Sequence, residues 1–531
     1  MLLCTCIFSN DNLIKAFRFT AADIFVNLDI KPRSARWVLV PVQLFSNIYS
    51  FAMPVSNRLK NQHLLWRAAF GPMAENAADL DATTPRELWK LLLKTSGSKP
   101  AKLNVSQQLI DKYFSGNQGM DRRDLTREQR KEIQDMSRDA LKDLNLEWLK
   151  LMVNSQSQLR EKMSLFWHGH FACRINNSYF QQELLHVIRE NALGNFKDLL
   201  MGVSKSAAML QFLNNQQNRK QHPNENFARE VMELFTMGRG NYTENDIKEA
   251  ARAFTGWGFN PRGEFMFRRN QHDFDAKTVL GRTGNFEGEE IIALLLEQKQ
   301  TARFISRKIY RYFVNETVDE TKLSWLADRF YANGYDIGKL VEDIFTSDWF
   351  YEEKNIGTRI KSPVELIAGI RRLLPMQLEN DQSQLLFERA LGQVLFFPPN
   401  VAGWPGGKNW IDSSSLMLRL RLPQILAANE MVEIRPKADD DVQMGMMQEG
   451  MRRLKETAKG GTATIQWDLV YRIFEKTPRE KLLDQVMATL LQTKAKPGAA
   501  LLERYANKES RENYIKSAII NLMSTPEYQL C

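Results

Sequence analysis

The sequence is short of cysteine and histidine, and this shortage excludes several kinds of site. Four cysteines occur in 531 residues, at positions 4, 6, 173 and 531. They are too few and too dispersed for a disulfide framework or a cysteine-based zinc site. Histidine occurs six times, so the position of each imidazole is more informative than usual.

Signature motifs of common enzymes and long apolar runs are also missing. No Walker pattern, no G-x-S-x-G turn and no H-E-x-x-H motif occurs, so a serine-nucleophile enzyme has no support. The most apolar N-terminal stretch, residues 37–53, is broken by proline and polar side chains. It is too short and too polar for a membrane-spanning helix, which needs roughly 20 apolar residues. We therefore expect no transmembrane helix.

Basic residues are not concentrated in a single patch of sequence. The 72 Lys and Arg residues outnumber the 63 Asp and Glu residues, for a net charge of +9, but the two signs are mixed along the chain. This mixing argues against a dedicated nucleic-acid groove, and no nucleic-acid partner is expected. A hydrophobic content of 43% is ordinary for a globular protein.

What the sequence does contain is helical periodicity over most of its length. Apolar residues recur at helical spacing from about residue 61 onwards. Capping patterns mark several helix starts, such as Thr126 with Gln129 and Thr243 with Asp246. The predicted fold class is mainly α: a large multi-helix globular domain with one small β-hairpin.

The hairpin is predicted at about residues 264–281. Residues 264–268 alternate in polarity as a strand does. We expect 275–280 to be the partner strand, across a loop that holds His272 and Asp273. Further along, residues 391–410 contain three prolines, four glycines and two tryptophans, which predicts a structured loop.

The first 52 residues differ in character from the rest. Two interpretations stay open: a weak signal peptide, or an over-extended start with translation beginning at Met53, which we favour. Without a clear signal peptide, a cytoplasmic and an exported location both stay open. The predicted organisation is an N-terminal extension at 1–52, a main helical domain at 53–430, a polar linker or insert at 431–465, and C-terminal helices at 466–531 packing on the main domain.

The sequence of residues 223–258 predicts two helices joined by a tight turn. We expect the rest of the chain to be organised around this helix pair. Asn224 is a suitable N-cap for the first helix. Asn226, Glu230 and Glu233 share one stripe of that helix, beside its apolar face. The first helix therefore carries more acidic and amide groups than packing requires.

Two carboxylates one helical turn apart repel each other unless something compensates them. The compensating group could be Arg229, a partner arginine, a metal ion or a shared proton. The stripe is then either a salt-bridge network between helices or a pair of site carboxylates, and both interpretations stay open.

The histidines offer a second candidate set. His168 and His170 flank a glycine, and in a helix their side chains point about 200° apart. We therefore expect only one of them to face the helix pair. Each is either an ordinary buried or capping residue, or a metal or acid–base group, since imidazole is a common ligand and titrates near neutrality.

The predicted hairpin loop and the structured loop supply further candidates. His272 and Asp273 could bind a divalent ion or orient a base, or could only make the local hydrogen bonds typical of turns. Trp404 could line a pocket for an apolar or sugar ring, or could be rigid packing.

Several segments together resemble one bacterial family, the domain of unknown function 1800. The matching segments are HLLWRAAFG at 63–71, KMSLFWHGHF at 162–171, AMLQFLNN at 208–215, NENFAREVMELFTMGRGNYTENDIKEAARAFTGW at 224–257, HDFDAKTVLG at 272–281, Lys361-Ser362-Pro363, PPNVAGWPGG at 398–407 and STPEYQ at 524–529. They follow the order of the family. The resemblance implies a helical protein, often exported, encoded beside a sulfatase-like protein that is a candidate partner.

Three functions stay open, and whether the chain is an enzyme is among the open points. The first is a metal-assisted or acid–base hydrolase. Its cofactor stays open, and a divalent metal is one candidate because carboxylates and imidazoles suit such ions. The second is a non-catalytic helical partner or scaffold of the sulfatase-like protein. The third is a carbohydrate-binding protein that uses Trp257, Trp404 and Trp410.

The residues assigned to the site fall into three groups. They are, as catalytic groups, Glu230, Glu233, His170, His272 and Asp273; as binding groups, Asn224, Asn226, Arg229, Trp257, Lys277, Asn400 and Trp404; and, as metal ligands, His168, His170, Glu230 and Glu233.

Overall fold

Helices make up most of the residues that the structure describes, which confirms the predicted mainly α fold class. The computed structural model describes residues 55–113, 125–428, 463–493 and 498–531, and two short strands before them. The helices are α1 (Asn57–Ala68), α2 (Pro85–Thr95), α3 (Gln107–Tyr113), α4 (Arg127–Asn154), α5 (Gln158–His170), α6 (Ser178–Asn191), α7 (Phe196–Lys205), α8 (Ala207–Phe212), α9 (Asn226–Glu230), α10 (Glu244–Ala253), α11 (Gly288–Glu297), α12 (Lys299–Phe313), α13 (Glu320–Ala332), α14 (Ile337–Phe345), α15 (Pro363–Leu373), α16 (Ser383–Leu391), α17 (Ser413–Ala428), α18 (Trp467–Ile473), α19 (Leu482–Leu490), α20 (Ala499–Tyr505) and α21 (Arg511–Met523).

The chain divides into two units, Met1–Pro54 and Val55–Cys531. In the first, strands β1 (Ile7–Phe8) and β2 (Lys15–Ala16) pair antiparallel. The prediction of a signal peptide or an over-extended start at 1–52 otherwise lies outside the described residues. Within the described part of the chain, every helix is too short or too polar to cross a bilayer.

Capping boxes start several helices at the residues that the sequence indicates. At the start of α4, the Thr126 hydroxyl accepts from the backbone of Gln129, whose side chain accepts from the backbone of Thr126. Thr243 and Asp246 form the same reciprocal pair at the start of α10. Each pair satisfies two backbone donors that a helix end would otherwise leave open.

The strands form two hairpins in the region where one was predicted. Strand β3 (Trp257–Phe259) pairs with β4 (Phe265–Phe267), and β5 (Lys277–Val279) pairs with β6 (Arg282–Gly284). The predicted pairing of 264–268 with 275–280 is therefore wrong. Leu280 and Gly281 both have positive φ, at 51° and 78°, as a two-residue hairpin turn of the type I′ class requires. Tight local turns therefore close each hairpin.

One more two-stranded sheet joins distant parts of the chain. Strand β7 (Met376–Leu378) pairs antiparallel with β8 (Ala463–Ile465). The last three residues of the segment predicted as a linker or insert, 431–465, therefore form a strand. The part of that segment before residue 463 lies outside the described residues.

Two hydrophobic cores fill the second unit, and α5 contributes to both. One core gathers helices α6–α14 around residues such as Trp167 and Phe235. The other gathers α4, α15–α17 and the C-terminal helices around residues such as Trp148 and Ile519. Every residue of α5 except Gly169 is buried. Among the described residues, α5 and α6 contribute to both cores, and the pair at 223–258 contributes to one.

A set of buried charges ties α1, α5 and α15 together. Glu365 on α15 is fully buried and accepts hydrogen bonds from Lys162 of α5 and from Arg359. Burial by itself would raise the pKa of the Glu365 carboxyl, but Arg359 and Lys162 hold it well below its ordinary value. Lys162 also donates to the carbonyl of Trp66 in α1, at 3.0 Å. We call Arg67, Lys162, Arg359, Lys361, Glu365 and Arg419 the buried charge cluster.

The last residues of the chain pack against this cluster. The backbone of Cys531 donates to Arg359 at 2.8 Å, and Ile360 and Leu530 form a β-bridge. The Lys361 amine lies 3.7 Å from the ring centroids of both Trp66 and Tyr528, a cation–π arrangement. Residues 359–361 thus connect the first described helix to the end of the chain.

Glu365→Gln is expected to lower the free energy of unfolding by about 3–5 kcal/mol, because it leaves two buried cations without their counter-charge. Chemical denaturation checks this. The matched control is Glu320→Gln, whose carboxylate pairs with Arg303 and Arg307 at the surface and should cost less than about 1 kcal/mol. Equal losses in both variants would show that the buried cluster has no special role in stability.

Candidate functional site

The C-terminal turn of α5 directs its two histidines to different neighbours. His170 Nε2 lies 3.2 Å from the carbonyl oxygen of Phe235. His168 Nε2 instead accepts from the backbone N–H of Phe396, at 3.1 Å. Only His170 therefore contacts the pair at 223–258, as helical geometry predicts.

The partners of His170 determine its tautomer. The carbonyl of Phe235 can only accept, so His170 Nε2 carries the proton and donates it. His170 Nδ1 is then an acceptor, and the amine of Lys308 on α12 lies 3.1 Å from it. Burial, and then the neighbouring Lys308, lower the pKa of His170 well below its ordinary value. His170 is therefore a neutral imidazole at physiological pH.

Lys308 has no carboxylate partner among the residues that the structure describes. Its amine donates to the carbonyl oxygen of Leu234 at 3.3 Å and lies 5.0 Å from the Phe304 ring centroid. The residue is partly exposed. Burial of the amine, with a smaller contribution from Arg311, lowers the pKa of Lys308 to about 8. An amine that has this pKa and no carboxylate partner can exchange protons near neutrality.

His168 holds the loop that covers the end of α5. Burial lowers its pKa to about 3, so its Nε2 stays available as an acceptor for the Phe396 N–H. Its ring packs against Trp148 and Trp404, with centroid distances of 5.2 and 5.6 Å. We call residues 392–410, which follow α16, the docked loop.

The docked loop contains strained backbone where it meets α5. Phe396 has φ of 68°, a conformation that costs about 1–2 kcal/mol for a residue with a side chain. Gly403 has φ of 83°, and its backbone lies so close to the Gly169 carbonyl that a Cβ atom would clash. Strain of this kind persists where the surroundings fix a functional geometry.

A buried carboxyl group holds the start of the docked loop. Glu388 Oε2 accepts from Asn145 at 2.7 Å and from the backbone N–H of Leu395 at 3.1 Å. Burial raises the pKa of Glu388 to about 8. Glu388 is therefore protonated at neutral pH, next to the residue that His168 binds.

The carboxylates of the predicted stripe lie near this site but do not bond to the imidazoles. Glu233 accepts from the Tyr242 hydroxyl at 2.6 Å. Burial, and then the charge of Glu233, raise the pKa of Glu230. In the described part of the chain, no hydrogen bond or ion pair joins Glu230 or Glu233 to a histidine. Their assigned catalytic roles stay predictions.

The amide and arginine residues of the same helix have structural partners. Arg229 pairs with Glu225 and Glu244 and does not bond to the stripe carboxylates. Asn226 donates to the carbonyl of Leu213 at 3.2 Å. Asn224 Oδ1 accepts from the Asn226 N–H at 3.0 Å, although Glu225 and not Asn224 holds the N-cap position.

The helix changes its winding between the two stripe carboxylates. A π-helix at Val231–Thr236 follows α9 directly. The carbonyls of Leu234 and Phe235 lie in its last turn, where a helix leaves carbonyls without intrahelical partners. They accept from Lys308 and His170. Single π-turns of this kind are frequent at functional sites.

His272 and Asp273 belong to a second neighbourhood, beside α10. His272 Nδ1 lies 2.9 Å from the Thr255 carbonyl oxygen and therefore donates to it. Asp273 pairs with Arg252 at 2.7 Å. Lys277 is buried and donates to the carbonyl of Asp273. These bonds fix the turn between β4 and β5. Among the described residues, no hydrogen bond or ring contact links this turn to His168 or His170.

The remaining assigned residues differ in exposure. Trp257 is 1% exposed and Trp410 is 7% exposed, so neither presents a face to a sugar. Trp404 is partly exposed against His168. Asn400 is exposed, and its side chain accepts from the Ala402 N–H at 2.9 Å. Of the three tryptophans proposed to bind carbohydrate, Trp404 alone is accessible.

The predicted metal set is not gathered by the described residues. Within them, no group of three or more His, Cys, Asp or Glu side chains is arranged to hold a metal ion. His168 and His170 each bind a backbone group through Nε2, and Lys308 occupies the Nδ1 side of His170. The donor atoms of His168, His170, Glu230 and Glu233 therefore do not fit the proposed divalent ion.

Several residues of the candidate site and of the buried charge cluster were not predicted from the sequence. Lys308 lies in no distinctive motif, and Glu388 is one acidic residue among many. Arg67 and Lys162 gave a usable signal, because each is a charged residue inside an otherwise apolar segment that is now seen to be buried. A charge that interrupts a fully buried helix needs a partner, and that requirement points to Glu365.

The fold and the site together define a mainly α-helical protein, built on a buried charge cluster, with a docked loop over a His-Gly-His turn. The chain matches the family described as Protein of unknown function (DUF1800) over residues 63–530 and belongs to that family. No curated protein and no solved structure matches the chain.

Gly403→Ala is expected to lower the stability of the protein more than Gly240→Ala. The two glycines have nearly the same positive φ, 83° and 84°, but a Cβ at Gly240 meets nothing within 4 Å, whereas one at Gly403 meets Gly169. Each substitution costs about 1 kcal/mol for the positive φ, and Gly403→Ala should cost a further 1–3 kcal/mol or so for the clash. Thermal unfolding and tryptophan fluorescence measure the difference. Indistinguishable variants would mean that the loop does not pack on Gly169.

Glu388→Gln is expected to make the protein more stable than wild type at pH 8–9. Between pH 4.5 and about 8 the folded chain keeps a proton on Glu388 that the unfolded chain has released. The free energy of unfolding therefore falls as pH rises, by up to about 1.4 kcal/mol per pH unit. Glutamine cannot ionise, so denaturation curves across this range should show a smaller fall in the variant. Parallel pH profiles would refute the assignment of a protonated Glu388.

Proposed function

We propose that this protein is an acid–base hydrolase in which Lys308 transfers the proton and His170 positions Lys308. The observation that carries the proposal is the 3.1 Å contact between the Lys308 amine and His170 Nδ1, made without a carboxylate partner among the described residues. Other lysines that stabilise this fold pair with an acid, as Lys162 does, or are fully buried against backbone carbonyls, as Lys277 is. Lys308 differs from both because it is partly exposed and contacts an imidazole.

The hydrogen bonds of Lys308 support a role as a base. A neutral amine has two N–H bonds and one lone pair. His170 Nδ1 and the Leu234 carbonyl can accept the two N–H bonds, which leaves the lone pair free. Because Lys308 keeps partial contact with solvent, that lone pair can reach a water molecule or a substrate.

The surroundings favour the neutral amine over the ammonium ion. The site is desolvated, and Arg311 adds positive charge nearby. A base works best when its pKa lies close to the working pH, and the Lys308 pKa of about 8 meets that condition. Lysine amines shift in this way readily when buried.

Hydrolysis is the reaction class that suits such a group. Lys308 would take a proton from water as the water oxygen attacks the substrate, and would return it to the leaving group as the scissile bond breaks. The proton count is then unchanged over a full cycle. The docked loop, with Trp404 partly exposed beside His168, would form one wall of the site.

The other hypotheses have less support from the structure. Burial of Trp257 and Trp410 weakens the carbohydrate-binding alternative. The alternative of a non-catalytic partner or scaffold for a sulfatase-like protein stays a prediction.

The Lys308 amine is expected to react with an amine-directed acylating reagent with a midpoint near pH 8. Lys354 is the matched control, because it is exposed and paired with Glu352, whose hydrogen bond raises its pKa; it should react only at higher pH. Peptide mass spectrometry after short exposures measures both rates. His170→Phe should change the Lys308 midpoint and leave Lys354 unchanged. A Lys308 profile that matches that of Lys354 would refute the proposed base.

Lys308→Met is expected to lower kcat by at least about 100-fold, the usual contribution of a general base, on whichever chromogenic ester, amide, phosphoester or sulfate ester the wild type hydrolyses in a panel. Lys354→Met should retain wild-type kcat. Circular dichroism confirms folding of both variants. Full activity of a folded Lys308→Met variant would exclude Lys308 as the base.

A further inference from the structure

We infer that the substrate of this protein carries an anionic group, and that the exposed guanidinium of Arg311 binds that group beside the amine of Lys308. The inference rests on the proposed function, because it assigns the substrate class of the same base. The starting observation is the distribution of charge on helix α12, which carries both residues.

Helix α12 carries positive charges and no negative one. Its 15 residues include Lys299, Arg303, Arg307, Lys308 and Arg311, but no Asp or Glu. The carboxylate of Glu320, at the start of α13, pairs with the first two of the three arginines. Within the described residues, no ion pair neutralises the lysine or the arginine of the last two turns.

Lys308 and Arg311 lie on one face of α12. They are three positions apart, and side chains at this spacing on a helix are neighbours, with about 5–6 Å between their Cβ atoms. Arg311 is exposed and Lys308 is partly exposed, so solvent reaches both groups. The charge of Arg311 acts on the Lys308 amine, as two close groups require. A small molecule that reaches the amine therefore also meets the guanidinium.

Arg311 differs from the other arginines of the helix in having no bonded partner. Arg303 and Arg307 donate to Glu320. In the part of the chain that the structure describes, no hydrogen bond or ion pair engages the guanidinium of Arg311. Its N–H groups are exposed to solvent and are therefore available to a ligand.

The acidic side chains around the site are directed to other groups. Glu233 accepts from a tyrosine hydroxyl, and burial, followed by the charge of Glu233, raises the pKa of Glu230. Glu316 lies against Gly407 of the docked loop, where a Cβ atom would clash with its carboxylate. Among the described residues, none of these three carboxylates bonds to the two cations of α12. The positive charge beside the base is therefore not cancelled.

The chemistry of a guanidinium selects an anionic substrate. Arginine keeps its charge at any working pH, and its planar N–H groups match the oxygens of a carboxylate, a phosphate or a sulfate. Bound in this way, the anionic group of a substrate would hold the neighbouring scissile bond near the Lys308 amine. Arg311 would then supply affinity for the substrate, and Lys308 would move the proton.

The test compares two acylating reagents that differ in charge. N-hydroxysuccinimidyl acetate is neutral, whereas its sulfonated form carries a negative charge on the leaving group. With either reagent, the Lys308 amine attacks the ester carbonyl, forms an amide and loses a proton to solvent as the hydroxysuccinimide leaves with the bonding electrons. Peptide mass spectrometry of the full-length protein gives both rates. The ratio of the two rates reports the preference for the anion and cancels any change in the pKa of the amine.

The ratio of the sulfonated to the neutral rate is expected to be about fivefold higher at Lys308 than at Lys354, which is paired with Glu352. Arg311→Gln should remove most of this preference, and Arg311→Lys should keep much of it. The matched control is Arg86→Gln, since Arg86 is also exposed and its loss removes the same charge from α2; it should leave the ratio unchanged. Salt at about 1 M should reduce the preference, because it screens charges beyond about 3 Å.

Hydrolysis supplies a second readout and separates the kinds of anion. Arg311→Gln should raise KM about fivefold for p-nitrophenyl phosphate or p-nitrophenyl sulfate, according to which of them the wild type cleaves. It should leave kcat/KM for neutral p-nitrophenyl acetate unchanged. Cleavage of the neutral ester alone would count against an anionic substrate.

Equal ratios at Lys308 in the wild type and in Arg311→Gln would overturn the inference. Arg311 would then have only the favourable position of a cation in the last turn of a helix. An equal fall in Arg311→Gln and Arg86→Gln would also overturn it, because net charge and not a local contact would set the preference. The proposed base fails separately, since a Lys308 midpoint that matches that of Lys354 refutes the base whatever the ratio.

Discussion

The burial of Glu365 between Lys162 and Arg359 is the constraint on which the arrangement of this protein depends. A buried ion pair gains little over well-packed apolar residues, but losing one partner is costly. It therefore acts mainly by fixing which elements meet. Here it requires α5, α15 and residues 359–361 to meet at one point, and Lys162 adds α1 through the carbonyl of Trp66. The two hydrophobic cores then pack on either side of a helix whose register is already fixed.

Helix α5 links this cluster to the candidate site. Lys162 and His170 are eight residues apart, which corresponds to about 12 Å along a helix. A helix anchored by an ion pair at one position cannot rotate or slide freely at the other. His168 and His170 are therefore presented in a fixed orientation to the docked loop and to the π-helix.

Carboxyl groups are held in opposite protonation states at the two ends of α5. In the buried charge cluster, Glu365 is paired and stays charged. Around the docked loop, burial without an opposite charge shifts His168, Glu388 and Lys308 towards their neutral forms. Neutral groups can bind backbone N–H and C=O groups without the cost of a buried charge. Burial lowers the pKa of Lys162 to about 8 as well, but Lys162 is fully buried against Glu365, whereas Lys308 is partly exposed and has no carboxylate partner among the described residues.

The sequence by itself determined the helical class, the capped starts at Thr126 and Thr243, and the family. These features depend on local periodicity and on contacts within four residues, which a single sequence shows directly. The pairing of the strands was not determined in this way. The turns at 260–264 and 280–281 close two short hairpins, and these take the place of the predicted pairing across a longer loop.

Only the tertiary structure decided the composition of the candidate site. Lys308 meets His170 across 138 residues of sequence, and Glu365 meets Lys162 across 203. Such pairs depend on how α5 packs against helices that are distant in the chain, and no local pattern encodes that packing. The same packing separated His272 and Asp273 from the histidines of α5, because the bonds to Thr255 and Arg252 hold that turn beside α10.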